Sequence, residues 1–264
     1  MFSYFLSTCF VLEVVTADIF QTNTFKAEPS YATTASTDEN ESGNWGYTNE
    51  NGPDKWPTDV IMANLHFVNY NRMYENITGE NIGRGVIFTG FSHQKETAPF
   101  VYGGALKGKY LLYQFHFHWS RRFSNGSEHT IDHKHYPVEI HMVHIREDLT
   151  LDEAYNATDG VAVLAVFSLR KLASQGDKVS LDFSPGHLLP SNTENFYHYE
   201  GSLTTPGCFE TVDWMVFHEP VAITDDQLHN LREIEIMGRS DADTRPTQPI
   251  NDRKVSDCSA VLKT

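Results

Sequence analysis

Basic residues are scarce in this 264-residue chain: Lys and Arg total 20 against 35 Asp and Glu, leaving a net charge of −15. Such a field repels phosphate backbones and anionic headgroups, which argues against nucleic-acid and membrane-surface partners. Cysteine is nearly missing, with only Cys9, Cys208 and Cys258 present, so at most one disulfide can form within the chain. Beyond the N-terminus no apolar stretch reaches spanning length, and the C-terminal SAVLKT is not the hydrophobic tail of a lipid-anchor signal. No transmembrane segment is therefore expected. Nor does any self-similar period suggest a repeat protein.

What is present is 40% hydrophobic content, enough for one substantial domain with a sizeable core. The opening MFSYFLSTCFVLEVVTA ends in Val15-Thr16-Ala17, a small-residue pattern resembling a secretory cleavage site, so residues 1–17 read as a signal peptide and the product as secreted. Glu13 and the missing basic n-region leave a disordered terminus, or a start site assigned wrongly, as the alternative. Sequons at Asn40, Asn76, Asn125 and Asn156 fit a glycoprotein on the secretory route. Residues 18–44, rich in Thr, Ser, Asn and Glu, read as a flexible polar segment, with the folded domain over 45–264. Strand-like runs lie at 86–91, 110–119, 136–145, 161–168 and 212–218, between Gly, Pro and Asn clusters. Thr224 and Gln227 form a capping-box pattern ahead of Leu228, Leu231 and Ile234 at helical spacing. The fold class is thus α+β and mainly β, a dominant sheet with few surface helices.

Residues 114–119, QFHFHW, place Gln114, His116 and His118 on one strand face and three aromatics on the other. A zinc site that performs chemistry uses three protein ligands and leaves one position open, so a third histidine is needed. YPVEIHMVH supplies it: Val138, Ile140 and Met142 share one face, Glu139 and His141 the other. His116, His118 and His141 are the proposed ligands of a Zn²⁺ cofactor. Gln114 and Glu139 each stand two residues before a ligand on the same face, placed to accept a ring N–H. His133 and His135 read as an exposed turn, His144 as a hydrogen-bonded core residue, and His129 as part of a polar loop without a strand partner.

QFHFHW, GSEHTIDHKHYPVEIHMVH and EGSLTTPGCFETVDW, with NWGYTNENGPDKW, GGALKGKY, GVAVLAVF and TRPTQPINDR, resemble the α-class carbonic anhydrases over most of 45–264. The resemblance implies a large, twisted, mostly antiparallel central sheet with the metal at the base of a conical cleft. It implies reversible hydration of carbon dioxide to bicarbonate and a proton by zinc-held hydroxide. By the same resemblance, His116, His118 and His141 match the zinc ligands, and Thr204 and Glu128 the catalytic pair that orients hydroxide. Val143, Val163, Leu203, Thr205 and Trp214 match the substrate pocket.

Three departures stand out. Arg84 occupies the position of the family's proton-shuttle histidine, and a guanidinium with pKa above about 12 cannot accept a proton there. Ile82 and Ile87 replace polar residues nearby. The Gln-Ser-Pro-Ile signature expected after Pro57 is absent, and the stretch after Phe167 is short. Cys208 matches one half of the disulfide of secreted members, whose partner belongs to the missing segment; it stays free or pairs with Cys258. A zinc-binding relative with little or no turnover is therefore the alternative to an enzyme.

Overall fold

The computed structural model describes residues 64–91, 96–121, 126–166, 178–223, 225–234 and 242–258. The expected signal peptide, the polar segment, the first residues of the domain, the missing-signature region and the shortened stretch after Phe167 lie outside them.

Among the described residues eleven strands form one sheet: β1 (Leu65–Val68), β2 (Tyr74–Asn81), β3 (Val86–Thr89), β4 (Phe100–Gly103), β5 (Tyr110–Trp119), β6 (Val138–Arg146), β7 (Val161–Val166), β8 (Lys178–Phe183), β9 (Phe196–Gly201), β10 (Val212–Phe217) and β11 (Ser256–Cys258). The order is β11-β9-β10-β7-β6-β5-β3-β2-β8, with β4 bridging β1 and β5. Every pairing is antiparallel except β7 with β10, which is parallel. The expected fold, a large and mostly antiparallel sheet with few helices, is the one observed.

Alternation dictates the two faces. Phe115, Phe117 and Trp119 of β5, with Ile140 and Met142 of β6, are buried in one cluster with Phe88, Leu164, Met215 and Phe217. Phe115 stacks on Phe88 at 4.7 Å and meets Phe117 edge-on at 5.6 Å. Full burial of each such phenylalanine contributes about 1.5–3 kcal/mol. The predicted helix is α2 (Asp225–Arg232), which with Ile234 inserts Leu228 and Leu231 into this cluster; its proposed cap Thr224 lies outside the described residues. The earlier α1 (Leu151–Ala154) has a capping box in which Thr150 Oγ1 accepts from Glu153 N and Glu153 accepts from Thr150 N. On the opposite face Val143, Val163, Val212 and Trp214 pack with Leu203 and Tyr155. The three histidines project from this second side, at its junction with β5.

β6 begins at Val138, two residues later than the alternation predicts, because Pro137 has no N–H to give a ladder and Tyr136 N donates instead to Ser127 Oγ at 2.9 Å. β3 ends at Thr89, where Gly90 takes a φ of 119°.

Candidate metal centre

β5 and β6 bring the ligand candidates together through their register. His116 lies opposite His141, and His118 opposite Glu139. His116, His118 and His141 each offer a ring nitrogen, and these atoms lie within 4.8 Å of one another.

The contacts behind the rings fix which nitrogen is free. His116 Nδ1 is 2.9 Å from Gln114 Oε1, His118 Nδ1 is 3.0 Å from the Asp243 carbonyl oxygen, and His141 Nε2 is 2.7 Å from Glu139 Oε1. Oxygens of these kinds accept, so each ring holds its proton on the outward nitrogen and turns a lone pair inward. The inward atoms are His116 Nε2, His118 Nε2 and His141 Nδ1. The last two stand 3.2 Å apart. Two lone pairs at that distance repel unless a cation lies between them. Tetrahedral zinc with Zn–N near 2.0–2.1 Å spaces its nitrogens by about 3.3 Å, so the donor set fits that metal. Glu128 Oε2 adds a negative charge 3.3 Å from His118 Nε2 and is buried without a hydrogen-bond partner.

Glu139 does more than its spacing suggests. Its carboxylate is fully buried and accepts four N–H groups: His141 Nε2, His129 Nδ1 at 2.5 Å, and the backbone of Glu128 and His129 at 2.8 and 2.9 Å. Burial alone would raise its pKa, but the His129 and His141 rings hold it well below the ordinary value. His129 also touches Tyr199 Oη at 2.6 Å through Nε2. It is not the unpartnered loop residue its sequence context suggests: it links β6 to β9 and stacks edge-on to Trp214 at 4.8 Å. His129, Glu139 and His141 also cluster within metal-binding reach, but their N–H groups are spent on the carboxylate, which leaves no lone pairs converging there.

Burial lowers the pKa of His116 and His141. It acts on His118 too, but there the carboxylates of Glu128, Asp243 and Glu139 outweigh it and the pKa is raised.

The loop that carries Glu128 is fastened at several points. Gly126 N donates to Tyr136 O, and a Cβ on Gly126 would sit 1.7 Å from Pro137 O, so only glycine allows this approach. Ser127 Oγ donates to His129 O, and His135 Nδ1 donates to Ser127 O at 2.8 Å. His135 is therefore half-buried and engaged, whereas His133 is exposed as expected. Glu128 Oε1 accepts Arg245 N at 2.6 Å. Among the described residues no hydrogen bond joins Glu128 to Thr204, which is half-buried in the loop after β9.

Val143, Val163 and Trp214 form a row across β6, β7 and β10, since Val143 is opposite Val163 and Val163 beside Trp214. The Trp214 ring lies 4.7 Å from that of His141, and its Nε1 donates to Ser202 O. Leu203 joins the same cluster, while Thr205 is exposed. Arg84 is exposed in the β2–β3 turn between Gly83 (φ 78°) and Gly85 (φ 152°). Cys208 and Cys258 are both free thiols. His144 is a core residue as expected, meeting Tyr70 Oη through Nε2 and Ala162 O through Nδ1.

Three strand-borne imidazoles with lone pairs turned inward, held by acceptors behind them, form on a sheet scaffold a cluster that could hold a metal ion. Residues 53–259 match the eukaryotic-type carbonic anhydrases, and the chain belongs to that family. It is 40% identical over 250 residues to a putative carbonic anhydrase 5 of Caenorhabditis elegans, spanning 80% of each chain. Human carbonic anhydrase 7 is 31% identical over 253 residues, 80% of this chain and 96% of its own.

Proposed function

We propose that this protein is a zinc-dependent carbonic anhydrase that interconverts carbon dioxide and bicarbonate, with His116, His118 and His141 as ligands. The observation that carries this reading is the set of three outward-pinned ring protons, which leaves three lone pairs facing one point. Bound zinc acts as a Lewis acid that makes hydroxide available from water near neutral pH, chemistry for which the carbonic anhydrases are themselves the reference case. The chain supplies the rest. Gln114, Glu139 and the Asp243 carbonyl hold the imidazoles in one tautomer. Glu128, whose Oε2 is buried and unpartnered, would accept a hydrogen bond from the Thr204 hydroxyl once the two meet, and the Thr204 oxygen would then accept a hydrogen bond from the nucleophile and aim it. Val143, Val163, Leu203 and Trp214 offer the pocket an apolar wall, which suits a small nonpolar gas, with Thr205 exposed in the loop beyond Leu203. A guanidinium offers N–H donors and no acceptor, so Arg84 cannot take up the proton, which leaves to dissolved buffer.

One observation favours a second reading, a zinc-binding relative without useful turnover: among the described residues no hydrogen bond links Thr204 to Glu128. Stopped-flow hydration of carbon dioxide, run beside metal analysis, separates the two. One zinc per chain with hydration above buffer supports the enzyme; one zinc with none leaves the binding module. We also place the protein on the secretory route. Asn76 and Asn156 are exposed sequons, and a glycosidase-sensitive product in the medium of expressing cells is the expected result.

A further inference from the structure

We propose that His198 and Asp213 form a positioning pair that holds the β9–β10 hairpin against the metal centre. This role rests on the zinc-site reading above and extends it to the reverse face of the sheet. Phe196 of β9 and Met215 and Phe217 of β10 lie in the main core cluster, and by alternation His198 and Asp213 share their faces, whereas Tyr199 and Trp214 lie on the histidine side. Asp213 stands directly opposite Glu200, a second carboxylate, so its own rung offers it no side-chain donor. The donor comes from two rungs away: His198, opposite Met215, gives its Nε2–H to Asp213 Oδ1 at 3.1 Å, and both residues are buried. The bond thus runs diagonally across the hairpin and straddles the rung between, where Tyr199 is opposite Trp214. That rung is the one that touches the site. Its two rings stack at 6.2 Å, Tyr199 Oη meets His129 Nε2 at 2.6 Å, and the Trp214 ring lies 4.7 Å from that of His141. Beyond it the hairpin opens into residues 202–211, which carry Thr204, and Trp214 Nε1 donates back to Ser202 O at 3.2 Å. Ladder bonds run perpendicular to the strands and tolerate a small slide of one strand past the other, whereas a diagonal tie lengthens at once. Stability does not account for the pair, because apolar side chains of similar volume in place of a buried polar pair are often neutral or stabilising, and the neighbours Phe196, Met215 and Phe217 are apolar already. What the pair adds is a fixed position at the rung behind His129 and His141.

The test is indole N–H exchange, read by proton–nitrogen NMR on purified full-length protein labelled with ¹⁵N-tryptophan at matched zinc content, with the Trp214 signal identified by its loss in Trp214→Phe. Asp213→Asn keeps an oxygen acceptor for His198 and is expected to exchange the Trp214 indole within about twofold of wild type. His198→Leu/Asp213→Leu removes donor and acceptor together and leaves neither group of the pair buried without its partner, so its Tm is expected at or above that of wild type. In this double variant the Trp214 indole should exchange about tenfold faster, the factor for loosening one buried hydrogen bond, while Trp119, equally buried on β5, keeps its rate. Wild-type exchange at Trp214, equal acceleration of Trp214 and Trp119, or equally fast exchange in Asp213→Asn each overturns the proposal. If the double variant does not fold, Asp213→Leu carries the same comparison, and failure of both to fold overturns the positioning role in favour of a purely structural one. Zinc-loaded double variant should also hydrate carbon dioxide with kcat/KM about tenfold lower, since small misplacements near a reacting centre are costly; wild-type efficiency beside a loosened Trp214 overturns the link to the site. A wild-type protein that takes up no zinc overturns the metal reading itself, and the exchange rates still decide whether the pair holds the hairpin.

Discussion

Acidification should weaken this fold through His144 before it protonates the surface carboxylates. Ala162 O can only accept, so His144 Nδ1 carries the proton and Nε2 accepts from the Tyr70 hydroxyl. A second proton would have to go on Nε2, where it breaks that bond and places a charge in a fully buried site. Burial accordingly pushes the His144 pKa from 6.5 down to about 4. The sign follows from linkage: between pH 6.5 and 4 the unfolded chain binds more protons, so this stability is present above the unfolded pKa and is lost as pH falls. A difference of one bound proton changes stability by about 1.36 kcal/mol for each pH step of one, so the loss between pH 7 and 5 is about 2 kcal/mol. For a domain of this size that is about 4–8 °C in Tm. The comparison variant is His144→Gln, whose amide offers one donor and one acceptor but does not titrate. Melting curves of both proteins at matched zinc, from pH 7 to 5, should show wild type falling further by that amount. Parallel curves for the two proteins would refute the reasoning.

Glu139→Gln should be severely destabilising, since it removes the one anion that satisfies four N–H groups; breaking a buried pair in this way costs about 3–5 kcal/mol, read by urea denaturation. Arg84→His should raise the maximal hydration rate in dilute buffer while leaving efficiency at low substrate nearly unchanged, because only proton export changes; no gain in dilute buffer would count against Arg84 as the reason for buffer dependence. In a Cys9→Ser background, thiol titration should find Cys208 reactive in the native protein and Cys258 reactive only after denaturation, since burial pushes the Cys258 thiol up to about 12. Gly126→Ala should unfold the Glu128 loop or the protein, because Pro137 O lies where the new carbon must go; a wild-type Tm in that variant would contradict the packing described.

The ligand strands are legible in the sequence because their chemistry obeys a local rule: period-two alternation puts aromatics on one face of β5 and histidines on the other, and short range pairs Gln114 with His116 and Glu139 with His141. Residues whose roles depend on distant chain are not legible. His129 looks like loop because its partner Tyr199 arrives from β9, 70 positions later. Asp243 sits 125 positions from His118 in a segment without periodicity. β2 (YENITGEN) and β11 (SDC) carry too few apolar residues in alternation to stand out, whereas KVSLDF of β8 does alternate, with Val179, Leu181 and Phe183 at period two, but is too short and too isolated to be told from loop; β8 and β11 lie at the sheet edges. Thr150 and Glu153 do spell the capping box of α1, but a helix of 4 residues adds no apolar periodicity to make that signal stand out.

The parallel pairing of β7 with β10 has a consequence for synthesis. β7, VAVLAV, is buried at every position and receives its neighbour β10 only after the chain has made β8 and β9, so Val212 follows Val166 by 212 − 166 = 46 positions. At about 5–20 residues per second on the ribosome, that edge stays open for about 2–9 s. An uncharged, β-branched six-residue segment with one open edge has the composition of an aggregation-prone strand. The nascent chain therefore passes through an interval in which β5 and β6 can already pair while the strand beside them is sticky, and holdase chaperones acting in that interval should govern the yield of folded protein.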